Sequence, residues 1–227
     1  MKTLLLKTAA LAVFTCSLGC GSSSNAGGTD AGGASPTSIC IFPEEVFTGY
    51  DGKNTFKAPI RAYAPNGGAL TEVTWSLGTP AVAGLVPNAD GTLMITAKQA
   101  GSTTITAKMG TLTASVPFEI VSYPATAHDV GDKRYHMVEG MSPACVTCHG
   151  GDAGAADHTP TQLDADDDKG IQRSFLEGVD PEGRPLKQAN HKWEVTEEEK
   201  AGLLAYLRSL EPKGYPVVDP AHGLKCK

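Results

Sequence analysis

What most limits the fold of this chain is a series of short β-branched runs, each closed by a turn signal, between Ile39 and Ser122. "Pro59-Ile60-Arg61-Ala62-Tyr63", "Val73-Thr74-Trp75-Ser76-Leu77", "Thr92-Leu93-Met94-Ile95-Thr96" and "Thr103-Thr104-Ile105-Thr106-Ala107" read as strands. Asn66-Gly67-Gly68, Asn88 to Gly91 and Met109-Gly110 separate them. In the last run Val116, Phe118 and Ile120 alternate with Ser115, Pro117 and Glu119. That is a strand with one apolar face, and Pro117, which has no N–H to donate, predicts an edge position. Several short strands with regular turns argue for a sandwich, in which Trp75 is a core residue. No catalytic constellation falls within this stretch. With 227 residues and 41% hydrophobic content the chain can bury a core, and 26 glycines and 15 prolines fit strands, turns and linkers better than a helical bundle.

The first twenty residues, "MKTLLLKTAALAVFTCSLGC", place Lys2 and Lys7 before an apolar run from Thr8 to Leu18. That run is shorter than the roughly 20 residues a bilayer span needs, so it reads as a secretory signal. Ser17-Leu18-Gly19-Cys20 resembles a bacterial lipobox, with Ser17 where Leu is usual. The resemblance implies cleavage before Cys20 and acylation of its thiol; a plain signal peptide cut elsewhere is the alternative. "GSSSNAGGTDAGGASPTS" follows and reads as a flexible tether. The net charge is −6, and loss of Lys2 and Lys7 makes the mature chain more acidic still, which excludes the basic footprint of a nucleic-acid binder. Of six cysteines, Cys16 leaves with the signal, Cys20 takes lipid, and Cys145 and Cys148 belong to a motif. Cys40 and Cys226 remain, in an oxidising compartment; sequence leaves their pairing open.

That motif is Cys145-Val-Thr-Cys148-His149. C-x-x-C-H fits covalent haem attachment: two thiols add to the two vinyl groups, and the adjacent imidazole binds iron on the near face. A thioredoxin-like pair would want a βαβ context, and zinc would want further ligands at suitable spacing. Around the motif, Gly150 follows His149 and Pro160 lies beyond it. Thr196 and Glu199 form a capping box, and Leu203, Leu204, Tyr206, Leu207 and Leu210 recur at helical spacing before Glu211-Pro212. From about Gly131 to Pro212 the chain resembles class I cytochrome c, most closely in "Leu204-Ala205-Tyr206-Leu207-Arg208-Ser209-Leu210". The resemblance implies that the Pro160 carbonyl accepts a hydrogen bond from His149 and that Trp193 packs against the haem or the last helix. Asp164, Asp166 and Asp168 have calcium-loop spacing, but Lys169 replaces the turn glycine and Phe175 the bidentate glutamate. They read instead as carboxylates at a helix start.

The strand-rich stretch has its own resemblance. "Thr74-Trp75-Ser76", "Ala81-Val82-Ala83", "Asp90-Gly91-Thr92" and "Ala100-Gly101-Ser102-Thr103" through Ala107 are similar to a bacterial Ig-like domain of group 2, over about 80 residues.

The far face of the iron is the open question. The methionines are Met1, Met94, Met109, Met137 and Met141, and none lies in the loop before the last helix, where cytochrome c relatives carry one. Asn190-His191-Lys192-Trp193 occupies that place, so His191 is the substitute; a surface histidine beside a five-coordinate iron is the competing reading. His158 is a second candidate, close to the near-face loop. His128, His136 and His222 read as solvated or structural. Arg173, Arg184, Lys187 and Lys192 are candidates to neutralise haem propionates.

The expected fold class is thus two domains, an all-β Ig-like sandwich followed by an all-α cytochrome c fold. The divisions are 1–19 signal, 20–38 tether, 39–122 Ig-like domain, 123–132 linker, 133–212 cytochrome c domain and 213–227 tail. The expected cofactor is one covalent haem c held by Cys145, Cys148, His149, Pro160 and Trp193, with His149 and His191 on iron and lipid on Cys20. The expected function is one-electron transfer to redox partner proteins at the cell envelope, on the periplasmic or outer-membrane side, with membrane contact through the lipid and no catalytic residues. A haem enzyme subunit or small-ligand sensor with an open sixth position, and an adhesion or scaffold lipoprotein, are the alternatives.

Overall fold

The β-branched runs do form strands. The computed structural model describes residues 36–138, 143–149, 157–186 and 191–217. Its strands are β1 (Cys40–Phe42), β2 (Val46–Tyr50), β3 (Lys57–Tyr63), β4 (Thr74–Leu77), β5 (Ala83–Pro87), β6 (Thr92–Ala97), β7 (Gly101–Met109) and β8 (Leu112–Ser122). They make two four-stranded sheets, ordered β1-β3-β6-β5 and β2-β8-β7-β4. Pairing is antiparallel throughout except between β2 and β8, where Val46 lies opposite Phe118 in a parallel register. Alternation puts Ile60, Leu93, Ile95, Ile105, Val116, Phe118 and Ile120 between the sheets. Each such side chain contributes about 1.5–3 kcal/mol by leaving water. Trp75 is half-buried against this core.

Pro117 corrects a detail. Its strand, β8, is internal, between β2 and β7. The β2 pairing begins only at Phe118, and Pro117 faces Thr104 of β7 on its other side. The missing N–H therefore falls just beyond the end of β2, where the internal strand is locally an edge.

Five helices follow: α1 (Ala127–His136), α2 (Cys145–His149), α3 (Pro160–Leu163), α4 (Asp168–Leu176) and α5 (Glu197–Ser209). Asp167 caps α4 by accepting from Gly170 N–H at 2.6 Å. Thr196 and Glu199 close the capping box of α5. Helices α1 and α5 cross at glycines: a Cβ on Gly131 would stand 1.9 Å from the Gly202 carbonyl oxygen. Residues 123–132, read from sequence as a linker, contain the first part of α1.

The expected fold class is overturned in its second half. Among the described residues no all-α cytochrome c fold stands apart from the sheets. The described part of the molecule is mostly β, with α2 and α3 only 5 and 4 residues long. Sheets and helices belong to one compact unit, Pro36–Lys227. The physical reason lies at their junction. The apolar cluster of the helices takes in Phe56, from the β2–β3 connection, and Tyr123, which follows β8. Arg208 of α5 is fully buried and donates to the Phe47 carbonyl of β2 at 3.2 Å, to the Asp166 carbonyl at 2.7 Å and to Asp168 Oδ1 at 2.8 Å. Phe47 N–H donates in turn to the Asp164 carbonyl at 2.9 Å. After α5 the chain lies along the first sheet, where the Tyr63 hydroxyl donates to the Pro216 carbonyl at 2.8 Å. Among the described residues no helix is long and apolar enough to cross a membrane.

Candidate functional site

Helix α2 is one turn of Cys145, Val146, Thr147, Cys148 and His149. Residues three apart on a helix share a face, so both cysteines are presented together. Both are free thiols, Cys145 half-buried and Cys148 exposed. Burial pushes the Cys145 thiol up, and nearby Arg134 pulls it the other way.

Two further histidines meet His149. The His158 ring lies flat on it, with centroids 3.5 Å apart and planes 16° from parallel. His158 precedes α3, where Asp157 accepts from Thr159 N–H at 3.1 Å and fixes the turn. Burial, reinforced by His149 and His191, pushes the His158 imidazole down to about 3, so it is neutral across the physiological range. Its Nδ1 is 3.4 Å from the Tyr135 hydroxyl of α1. Tyr135 packs in turn against Tyr206 of α5, with centroids 5.1 Å apart and planes tilted by 45°.

His191 meets His149 edge-on. Its ring centroid is 6.0 Å from that of His149, and the two planes are 80° apart. Nδ1 is 2.8 Å from the Ser174 carbonyl oxygen of α4. A carbonyl only accepts, so Nδ1 carries a proton and donates it to Ser174. Trp193 stands edge-on to His191 at 4.5 Å. Its ring N–H points to the Pro143 carbonyl at 3.4 Å, and its backbone N–H donates to the Phe175 carbonyl at 2.8 Å. Trp193 and Val195, with Cys145, Val146, Leu163 and Leu176, pack half-buried against the helical core.

The structure thus brings together Cys145, Cys148, His149, His191 and Trp193, and adds His158 and Tyr135. Pro160 opens α3 and is buried; its carbonyl accepts from Asp164 N–H at 3.0 Å. Arg173 and Arg184, read as propionate partners, pair with Glu177 and with Asp180 and Glu182. Lys192 is exposed. Cys40 is disulfide-bonded. Cys20, Cys226, Met141, Lys187 and His222 lie outside the described residues. His128 and His136 both contact Tyr206, tilted and edge-on respectively. Sequence reasoning missed Tyr135, which no motif marks. Among the described residues no group of three or more His, Cys, Asp or Glu side chains is arranged to hold a metal ion. A haem iron takes only two protein ligands, one on each face.

No family model matches the chain, and no curated protein matches it. Among solved structures it is similar to domains 4 and 5 of the S-layer protein SbsC, with 23% identity over 37% of this chain and 51% of that one, and a TM-score of 0.29. A titin domain is matched at 13% identity over 40% of this chain and 98% of that one, with a TM-score of 0.30. An endo-fucoidan hydrolase of glycoside hydrolase family 107 is matched at 17% identity over 40% of this chain and 15% of that one, with a TM-score of 0.31. The chain spans about half the length of the SbsC fragment it matches.

Proposed function

We propose that this protein binds one haem c through Cys145, Cys148 and His149, with His191 on the far face of the iron, and carries single electrons at the cell envelope. The observation that carries the reading is the state of His191. Its Nδ1–H is committed to the Ser174 carbonyl, which orients the ring and leaves Nε2 as the nitrogen that would bind a metal, the arrangement usual for a metal-bound histidine. Two imidazoles on opposite sides of one metal stand roughly 6 Å apart between centroids, given bonds of about 2 Å. The 6.0 Å between His149 and His191 meets that requirement. His158 lies flat on His149 and does not. The donors a covalent haem would need are present in kind: two free thiols, an adjacent imidazole and a second imidazole about 6 Å from it.

The haem would supply the one-electron couple. The protein's part is to hold both imidazoles, shield one side and leave the Cys148 edge open to a partner. Imidazole in place of a thioether favours a lower potential. We place the protein at the envelope, anchored by lipid on Cys20, from the basic start, the apolar run and the tether. The Cys40 disulfide accords with an oxidising compartment. The sandwich is assigned as spacer or docking module.

The test is made on the exported full chain. Haem should survive acid–acetone extraction and appear in the protein's mass; haem lost on extraction rejects the attachment. The ferrous protein should resist carbon monoxide, and His191→Ala should yield a high-spin form that binds it with haem still attached. A wild type that is already high-spin moves the sensor or enzyme reading ahead. Cys20→Ala should shift the protein from the membrane fraction to the soluble one, and an unchanged distribution rejects the anchor.

A further inference from the structure

We infer that residues 211–216, beyond the end of α5, are a strap that fastens the turn carrying His158 to the first sheet, so that β3 helps to hold His158 in place. This stands apart from the haem reading above. The turn needs such a fastening. It leads into α3, which is only four residues long, and its N-cap residue Thr159 makes no side-chain cap bond. A single helical turn is marginal without outside support. Within the turn, Asp157 accepts from the Thr159 N–H at 3.1 Å and from its hydroxyl at 2.8 Å, and both groups are local.

The strap grips sheet, turn and sheet again in sequence order. Glu211 accepts from Lys57 Nζ of β3 at 2.6 and 2.9 Å. Lys213 Nζ then lies 3.4 Å from Asp157 Oδ1, and the Gly214 carbonyl accepts from the Thr161 hydroxyl at 3.2 Å. Gly214 has a φ of +92°, a backbone conformation that favours glycine, at the point where the strap leaves the turn. Next, the Tyr215 hydroxyl accepts from Asn88 Nδ2 at 2.6 Å, and the Arg61 guanidinium of β3 lies 5.9 Å from the Tyr215 ring. Last, the buried Pro216 gives its carbonyl to the Tyr63 hydroxyl of β3 at 2.8 Å.

The two grips differ in strength. The Tyr63 bond is buried, and a buried carbonyl left without its donor is costly. The Lys213 side chain is 62% exposed, and an ion pair so exposed contributes little. The strap is therefore fixed to the sheet and lightly joined to the turn. Loss of the sheet grip releases strap and turn together, whereas loss of the Lys213 contact loosens the turn alone. This is a second link between sandwich and helices, separate from the one at Arg208, and it ends at the residue beside His158.

The experiment is site-resolved native-state hydrogen exchange on the full chain, with Tyr63→Phe and Lys213→Ala. The reporting amides are those of Leu163 and Asp164, which donate to the Thr159 and Pro160 carbonyls at 3.1 and 3.0 Å. A second reading is the rate at which diethyl pyrocarbonate modifies His158, followed by peptide mass. Tyr63→Phe removes the donor to Pro216 and keeps the ring. It should speed exchange at Leu163 and Asp164 about five-fold and quicken modification of His158. The Lys200 amide, bonded to Thr196 at the start of α5, should keep its wild-type rate. Lys213→Ala should act on the same amides and on His158 by a smaller factor. Unchanged Leu163 and Asp164 amides in Tyr63→Phe overturn the strap. So does an equal rise at Lys200, which would mean that the whole unit has been destabilised. Faster amides with His158 modified at the wild-type rate overturn its part in holding His158.

Discussion

At the scale of single residues, the site and the junction beside it handle charge in opposite ways. Beside His149, burial first and the neighbouring imidazoles second push His158 down to about 3, so it stays uncharged. Beside α4 the carboxylates crowd. Asp166 is pushed up to about 6, first by burial, then by Glu182, with Arg208 opposing and Asp167 and Asp180 adding. A carboxyl whose folded value lies above its unfolded one binds its proton more tightly in the folded state. Its stabilisation is full below the ordinary value of 3.8 and is lost as pH rises through about 6. Stability should therefore decline between those limits, and Asp166→Asn should flatten the decline; its backbone carbonyl still accepts from Arg208. Denaturant midpoints across that window in both proteins check this, and equal slopes refute it. How much was legible differs by residue. His191 could be named as a candidate, because the loop has no methionine. His158 could be named but not placed, since its stack depends on a turn that brings Asp157 to Pro160 under α2. Asp164, buried to 1% exposure, reads in sequence as one more surface carboxylate in an acidic run.

At the scale of elements, the strands with the most β-branched residues were readable: β3, β4, β6, β7 and β8 coincide with runs visible in sequence. Strands β1 and β2 were not. One is three residues long, and the other, Val46–Tyr50, carries a glycine and takes its pairing from β8, far away in the chain. Local propensity has no access to such a partner. The α5 helix was legible from its capping box, whereas α1 was hidden in a stretch with four charged residues and a glycine. That glycine is the reason α1 is where it is. Gly131 and Gly202 let the two backbones touch, which places Tyr135 against Tyr206 and so under His158. Gly131→Ala would put a methyl carbon 1.9 Å from a backbone oxygen that cannot swing aside. Overpacking of this kind costs about 1–3 kcal/mol or more, enough to lower the melting temperature by several degrees. The helices would have to separate, so the change should also loosen the His158 stack. A variant as stable as the wild type would mean that the crossing is not close.

At the scale of the whole molecule, the question is why two sequence resemblances, each covering its own stretch, do not correspond to two independent bodies. The strand-rich and helix-rich stretches differ in composition, which is what sequence sees, but their surfaces are not finished separately. Strand β2 offers both polar groups of Phe47 to the helical side, the N–H to Asp164 and the C=O to Arg208. Tyr123, just past β8, donates to Asp168 Oδ2 at 2.7 Å, and the same carboxylate accepts from Arg208. Arg208 thus uses its planar fork on three acceptors from two parts of the chain, which a lysine ammonium cannot reproduce. If this junction is structural, the described unit unfolds as one. A single cooperative transition, with fluorescence of Trp75 in the sheets and Trp193 beside the site changing together, is the expected result. Arg208→Ala leaves Asp164 and Asp168 in a buried setting without their cation, a loss of about 3–5 kcal/mol. That is a large share of the roughly 5–15 kcal/mol that a domain has in total. The variant should either fail to fold or show the two tryptophans reporting separate transitions. Arg208→Lys restores the charge without the fork and should fall between the two. Two well-separated transitions in the wild type would mean that sandwich and helices are stable apart, and that Arg208 joins them without making them one.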